Sequence, residues 1–170
     1  MGCIGAAVRE LYGVGRVVGV DVGGRRIGFA VSDATGTLAR PLGVVRTAGI
    51  ERDAVDLAAA EVARLAAEED GVCAIVVGLP RRLDGSPSDM TPRVEGFARR
   101  LAELAGLPVH LQDERLSSRE AESRLAIRER DWRTRKQKLD AAAAAVILQD
   151  HLDGLPRNIA RGLDTGEDDA

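Results

Sequence analysis

Three features of this 170-residue sequence predict an α/β fold built on a mixed sheet. A valine-rich stretch from Val17 to Asp33, VVGVDVGGRRIGFAVSD, reads as strand, tight turn and strand. The apolar spacing then changes to three and four residues, which marks an amphipathic helix, before a nearly unbroken apolar run from Val72 to Leu79. Strand and helix alternate from there on, so helices are expected on both faces of a five-stranded sheet.

Residues 1–15 hold several glycines and no sustained periodicity, and they read as a loose extension. The first strand follows, and Gly23-Gly24 supplies the backbone freedom that a tight hairpin needs. Ala39 to Val45 reads as a third strand, close enough to the hairpin to form an antiparallel meander with it. Between Glu51 and Glu69, Ala54, Leu57, Ala58, Val62 and Leu65 trace one helical stripe that Asp70-Gly71 ends. The run from Val72 to Leu79 has the composition of a strand covered on both faces.

That strand opens into a polar loop, RRLDGSPSDMTP. A helix begins near Thr91-Pro92, where proline suits the first turn, and runs to Gly106. Pro108 to Leu111 is a short strand, and Ser117 with Glu120 forms a capping box for a further helix. ERDWRTRK reads as a basic loop before the last helix, Lys136 to Leu152, and residues 154–170 as a disordered acidic tail. The fold unit is therefore expected over residues 16–153.

Aromatic residues make up only 2% of the chain, so the core must be aliphatic. The two cysteines, Cys3 and Cys73, lie far apart, which suits a reducing compartment and argues against a disulfide scaffold. No apolar run approaches the roughly 18 residues of a membrane span, and no secretory signal opens the chain. The cytoplasm is the expected location. The formal charge of -3 is unevenly placed, with fourteen of the 24 basic residues between Arg81 and Lys138. One basic face on a mildly acidic protein remains compatible with nucleic acid.

Three acids stand where chemistry could form: Asp21 inside the first strand, Glu114 just past the fifth, and Asp140 in the first turn of the last helix. Aspartate is depleted from strands and costly to bury uncompensated. Three carboxylates converging at the strand ends would need divalent cations, and hard Mg²⁺ or Mn²⁺ takes oxygen ligands. The same residues also fit a turn-capping aspartate and scattered surface acids, and spacing alone does not choose between these readings. His110 reads as a strand residue beside such a site, and His151 as a surface or core-edge residue.

VGVDVGGRRIGFAVSD, VVGLPRRLDGS, LQDERLSSREAESRL and KQKLDAAAAAVIL occur in this order and at these intervals. Together they resemble the RuvX (YqgF) family of bacterial pre-16S rRNA nucleases, which is related to Holliday junction resolvases. The resemblance covers about residues 16–153 and implies an RNase H-like fold. It also implies a metal-dependent nuclease using Mg²⁺ or Mn²⁺, with Asp21, Glu114 and Asp140 as catalytic and metal-binding residues, acting on precursor rRNA in ribosome biogenesis. Gly24 stands where the family commonly has Thr or Ser, and Arg81-Arg82 where an apolar residue and Asn are usual.

Arg81, Arg82, Arg115, Arg119, Arg124, Arg128, Arg133, Arg135, Lys136 and Lys138 are the candidate nucleic-acid contacts. The rival readings are a branched-DNA resolvase, a non-catalytic RNA-binding assembly factor and an actin-like or sugar-kinase-like phosphotransferase. A monomer and a homodimer are both compatible with the sequence.

Overall fold

The computed structural model describes residues 4–50, 52–114 and 132–156. Strands β1 (Arg16–Val22), β2 (Arg26–Ser32), β3 (Ala39–Arg46), β4 (Val72–Leu79) and β5 (Val109–Asp113) form one sheet in the order β3-β2-β1-β4-β5. The first three make the expected antiparallel meander, whereas β4 and β5 run parallel to β1. The sheet is thus mixed, as an RNase H-like fold requires. Because β1, β4 and β5 are parallel, their C-terminal ends open on one side of the molecule, where sites of α/β sheets form.

The two faces of the sheet are built from different residue sizes. One face carries Val18, Val20, Ile27, Phe29, Ile75 and Val77 and is covered by α2 (Arg52–Ala66) and α3 (Thr91–Ala105). The other carries Val17, Ala30, Ala74 and Val76 and receives Ala144, Ile147, Leu148 and Leu152 of α4 (Trp132–Gly154). Two layers of helix therefore sandwich the sheet, and β4 is buried almost throughout, as its apolar run requires. Among the described residues, no helix is long and apolar enough to cross a membrane.

Residues 4–12 are not a loose extension: Ile4–Tyr12 forms helix α1. Val8 is fully buried in the α4-side core, where its methyls fill the space above Gly36, and Tyr12 follows one turn later on the same side. Two helical turns give too little periodicity to read from sequence, and docking on α4 supplies the stability that so short a helix lacks alone.

The last helix also departs from expectation, since it begins at Trp132 rather than Lys136. Arg, Lys and Gln are good helix formers, so the basic segment extends the helix instead of leading up to it. Asp140 consequently lies in the third turn, beyond the exposed N–H groups of the helix start. The capping box at Ser117 and the helix it would open lie outside the described residues, as does the chain from 157 onward.

Candidate active site

Asp21 is the sixth of seven residues in β1 and pairs with Gly28 of β2. Directly opposed residues share a face, and here it is the face covered by α4. Glu114 follows β5 immediately, and its N–H donates to the Leu79 carbonyl at 3.3 Å, which holds it at the end of β4. Asp140 comes from α4, far away in sequence.

Glycines bring the helix to the sheet. A Cβ on Gly19 would fall 2.8 Å from Leu148 Cβ and 2.9 Å from the Ala144 carbonyl oxygen. One on Gly78 would fall 2.6 Å from Ile147 Cδ1 and 2.7 Å from Glu114 Oε2, and one on Gly28 would strike the Asp140 carbonyl. Three adjacent strands, β2, β1 and β4, thus contribute a shallow trough in which the alanine-rich helix lies. Any side chain there would lift α4 and carry Asp140 away from Asp21. The signal was present in the sequence, because glycine inside a strand marks a close backbone approach.

The carboxyls of Asp21 and Glu114 are hydrogen-bonded to each other, which favours the proton on Glu114 over Asp21. Burial, and then the charge of Asp140, pushes Asp21 up to about 6. Burial, the charge of Asp21 and their hydrogen bond push Glu114 up to about 8, with Asp113 adding to the effect. Asp140 is turned to Arg26, whose Nη1 donates to its Oδ2 at 3.2 Å. Asp21 is therefore within electrostatic reach of both Glu114 and Asp140 at one end of the sheet.

Their donors are all carboxylate oxygens, the set that suits hard divalent cations. Two half-buried carboxyls with raised pKa values disfavour further negative charge, and in donor chemistry Asp21, Glu114 and Asp140 fit Mg²⁺ or Mn²⁺. They are not disposed as ligands here. Among the described residues, no three His, Cys, Asp or Glu side chains form a metal-holding group. One contact ties Asp21 to Glu114 and another ties Asp140 to Arg26.

Arg81 and Arg82 are exposed in the loop after β4, at the same end of the sheet. Arg81 is turned inward along its own loop, donating to the Gly85 carbonyl at 3.4 Å. Arg115, Arg119, Arg124 and Arg128 lie outside the described residues, as do the side chains of Arg133, Arg135, Lys136 and Lys138, whose backbone is part of α4. Sequence reasoning missed Arg26, and with it exposed Arg25 and Arg46 at the hairpin end. The missed signal was register: Arg26 lies two residues before Gly28, so strand alternation puts it on the face of Asp21.

His110 is not beside the carboxylates. It stands four residues before Glu114, about 13 Å away by strand rise, and its ring packs on Tyr12 with centroids 4.7 Å apart. The Tyr12 hydroxyl lies 3.0 Å from His151 Nε2, so both histidines help seat α1 at the far end of the sheet.

The family described as "RuvX: Holliday junction resolvase" matches residues 15–154. A "Putative pre-16S rRNA nuclease" of Anaeromyxobacter sp. (strain Fw109-5) is 45% identical over 139 residues, 82% of this chain and 97% of that protein. A protein of the same description from Moorella thermoacetica is 41% identical over 145 residues, covering 84% of this chain and 98% of the other. Among solved structures, Thermus thermophilus RuvC in complex with a Holliday junction superposes with a TM-score of 0.50. That likeness spans 83% of this chain and 98% of RuvC at 19% identity, and it speaks for the fold alone.

Proposed function

The chain belongs to the RuvX family, and from that premise we propose that it is a metal-dependent nuclease that hydrolyses phosphodiester bonds of precursor 16S rRNA in the cytoplasm. The observation that supports this reading is that Asp21, at the open end of the sheet, lies within electrostatic reach of both Glu114 and Asp140, which come from two other elements. A divalent cation, which Asp21, Glu114 and Asp140 would hold through their carboxylate oxygens, would supply Lewis-acid stabilisation of a phosphoryl oxygen and lower the pKa of a water. The residues have separable tasks. Asp21, fixed on a central strand, is the rigid anchor of the site. Glu114, at a strand end and prone to hold a proton, is suited to exchange one with water or the leaving oxygen. Asp140, carried on α4, closes the site from above.

Exposed Arg25, Arg46 and Arg82 flank that end and favour a polyanion as the substrate. A branched-DNA substrate is the second reading, supported by the description attached to the matching family. Incubating the purified full chain with a 5′-extended 16S rRNA fragment and with a four-way DNA junction, each with Mg²⁺, Mn²⁺ or EDTA, decides between them. Metal-dependent cutting of the RNA that Asp21→Asn abolishes is the expected result. Cutting of the junction alone moves the substrate to DNA, and cutting in EDTA rejects the metal.

A further inference from the structure

We propose that Arg26 is the internal counter-cation of the carboxylate cluster, held on Asp140 in the metal-free protein and freed to bind a substrate phosphate when a divalent cation takes its place. The proposal rests on the metal-dependent reading above and adds a positioning residue to it.

Three observations carry it. Arg26 and Asp140 are 114 residues apart in sequence yet meet at 3.2 Å, so tertiary structure alone makes the pair. Gly28 follows Arg26 by two residues on the same face of β2, and the α4 backbone at Asp140 rests on it so closely that no side chain fits. The spacing of β2 and α4 is therefore fixed, and Arg26 stands within reach of Asp140 whatever occupies the site. Finally, Arg26 and Asp140 retain 25% and 30% of their side-chain exposure. The guanidinium is thus free to turn outward, which a fully buried arginine could not do.

The chemistry follows from charge. In the metal-free protein one oxygen of Asp140 is engaged by Arg26, which keeps a carboxylate beside Asp21 tolerable. A divalent cation bound to Asp140 competes for that carboxylate and repels the guanidinium. Once displaced, Arg26 still has its planar fork of donors, which matches two phosphate oxygens as well as a carboxylate. A phosphodiester arriving at the site accepts the released arginine. Metal and nucleic acid then bind with positive coupling, and the coupling must be reciprocal. The arrangement disfavours a metal-loaded site without substrate, and so restrains stray hydrolysis.

Calorimetric titration of the full chain with Mn²⁺ tests this, with and without a short single-stranded oligonucleotide carrying non-hydrolysable linkages. Without oligonucleotide, Arg26→Gln is expected to bind Mn²⁺ about 1.5- to fivefold more tightly than wild type, the range for losing one partly exposed competing ion pair. The oligonucleotide should tighten Mn²⁺ binding in both proteins through the phosphate oxygen, and by a clearly larger factor in wild type than in Arg26→Gln. Equal or weaker Mn²⁺ affinity in the variant overturns the inference while the metal site stands. No Mn²⁺ binding by either protein, with or without oligonucleotide, removes the metal reading and this inference with it. Should Arg26→Gln lose its helical circular dichroism, Arg26→Met carries the test, since it keeps the apolar stem and removes the competing cation, and an unchanged Mn²⁺ affinity overturns the proposal.

Discussion

At the scale of single residues, Asp21 and Glu114 show how burial turns two ordinary acids into a coupled pair. Both folded-state pKa values, about 6 and about 8, lie above the values near 4 expected in an unfolded chain. The folded protein therefore holds protons that the unfolded chain gives up. Their stabilising contribution is complete below pH ~4 and is lost as pH rises through about 6 and then about 8. Thermal melts of the wild type in EDTA should fall in midpoint between pH 5 and pH 8.5, and Mg²⁺ or Mn²⁺ at pH 8 should restore the loss. Asp21→Asn, which keeps the hydrogen bond and removes the charge, should flatten the pH dependence. Its cleavage of a precursor rRNA should drop by at least about a hundredfold, the scale for removing a general acid–base or charge-stabilising group. A variant that melts with wild-type pH dependence and cuts at the wild-type rate rejects the assignment of Asp21.

At the scale of elements, the site depends on how closely α4 approaches the sheet. Gly19, Gly28 and Gly78 form the trough, and Ala141 and Ala144 are the small residues that enter it. Gly28→Ala puts a methyl against the Asp140 backbone, which cannot yield as a flexible side chain can. The expected cost is about 1–3 kcal/mol of stability, as for other overpacked cores. Activity should fall further than stability does, because the lifted segment carries Asp140. Denaturant unfolding alongside cleavage assays checks this, and an Ala variant with full stability and full activity shows that the trough is not needed.

A second element-scale feature is Arg16, nearly fully buried at the start of β1. It donates to the Leu65 carbonyl at 3.0 Å and the Gly71 carbonyl at 3.2 Å, and meets Glu68 at 3.0 Å. These bonds cap the C-terminal end of α2 and lock it to the sheet. Arg16→Met should cost about 1–3 kcal/mol through the loss of two side-chain hydrogen bonds and the ion pair with Glu68, with cleavage intact at low temperature.

At the scale of the whole molecule, charge is segregated although its sum is only -3. Exposed Arg25, Arg46 and Arg82 lie at the end of the sheet that holds the acids, so an approaching polyanion would meet positive charge beside them. Binding of single-stranded RNA should weaken steeply with salt. A log-log slope of about 2–4 is expected if three to five phosphates are neutralised at roughly 0.7 each. Arg46→Ala should lower that slope by somewhat under one and leave metal affinity unchanged. Salt-independent affinity rejects an electrostatic groove.

The strands and the α2 and α3 helices were legible in the sequence because each depends on local period, and residue type alone singled out the three acids as candidates. Val72 to Leu79 can only be a strand buried on both faces, and an aspartate among valines at 17–22 is conspicuous anywhere. Helix α1 and the first turn of α4 were not legible. Nine residues give too short a period, and WRTR is as polar as a loop, so only packing and helix propensity decide them. The ion pair of Arg26 with Asp140 lay further out of reach. It requires the β1–β2 register, the glycine trough and the placement of α4 at once, and each is a relation between distant segments that no local pattern encodes. Sequence determined which groups could do chemistry here, whereas tertiary structure alone decided that an arginine stands among them, because contact across 114 residues is set by how the layers pack.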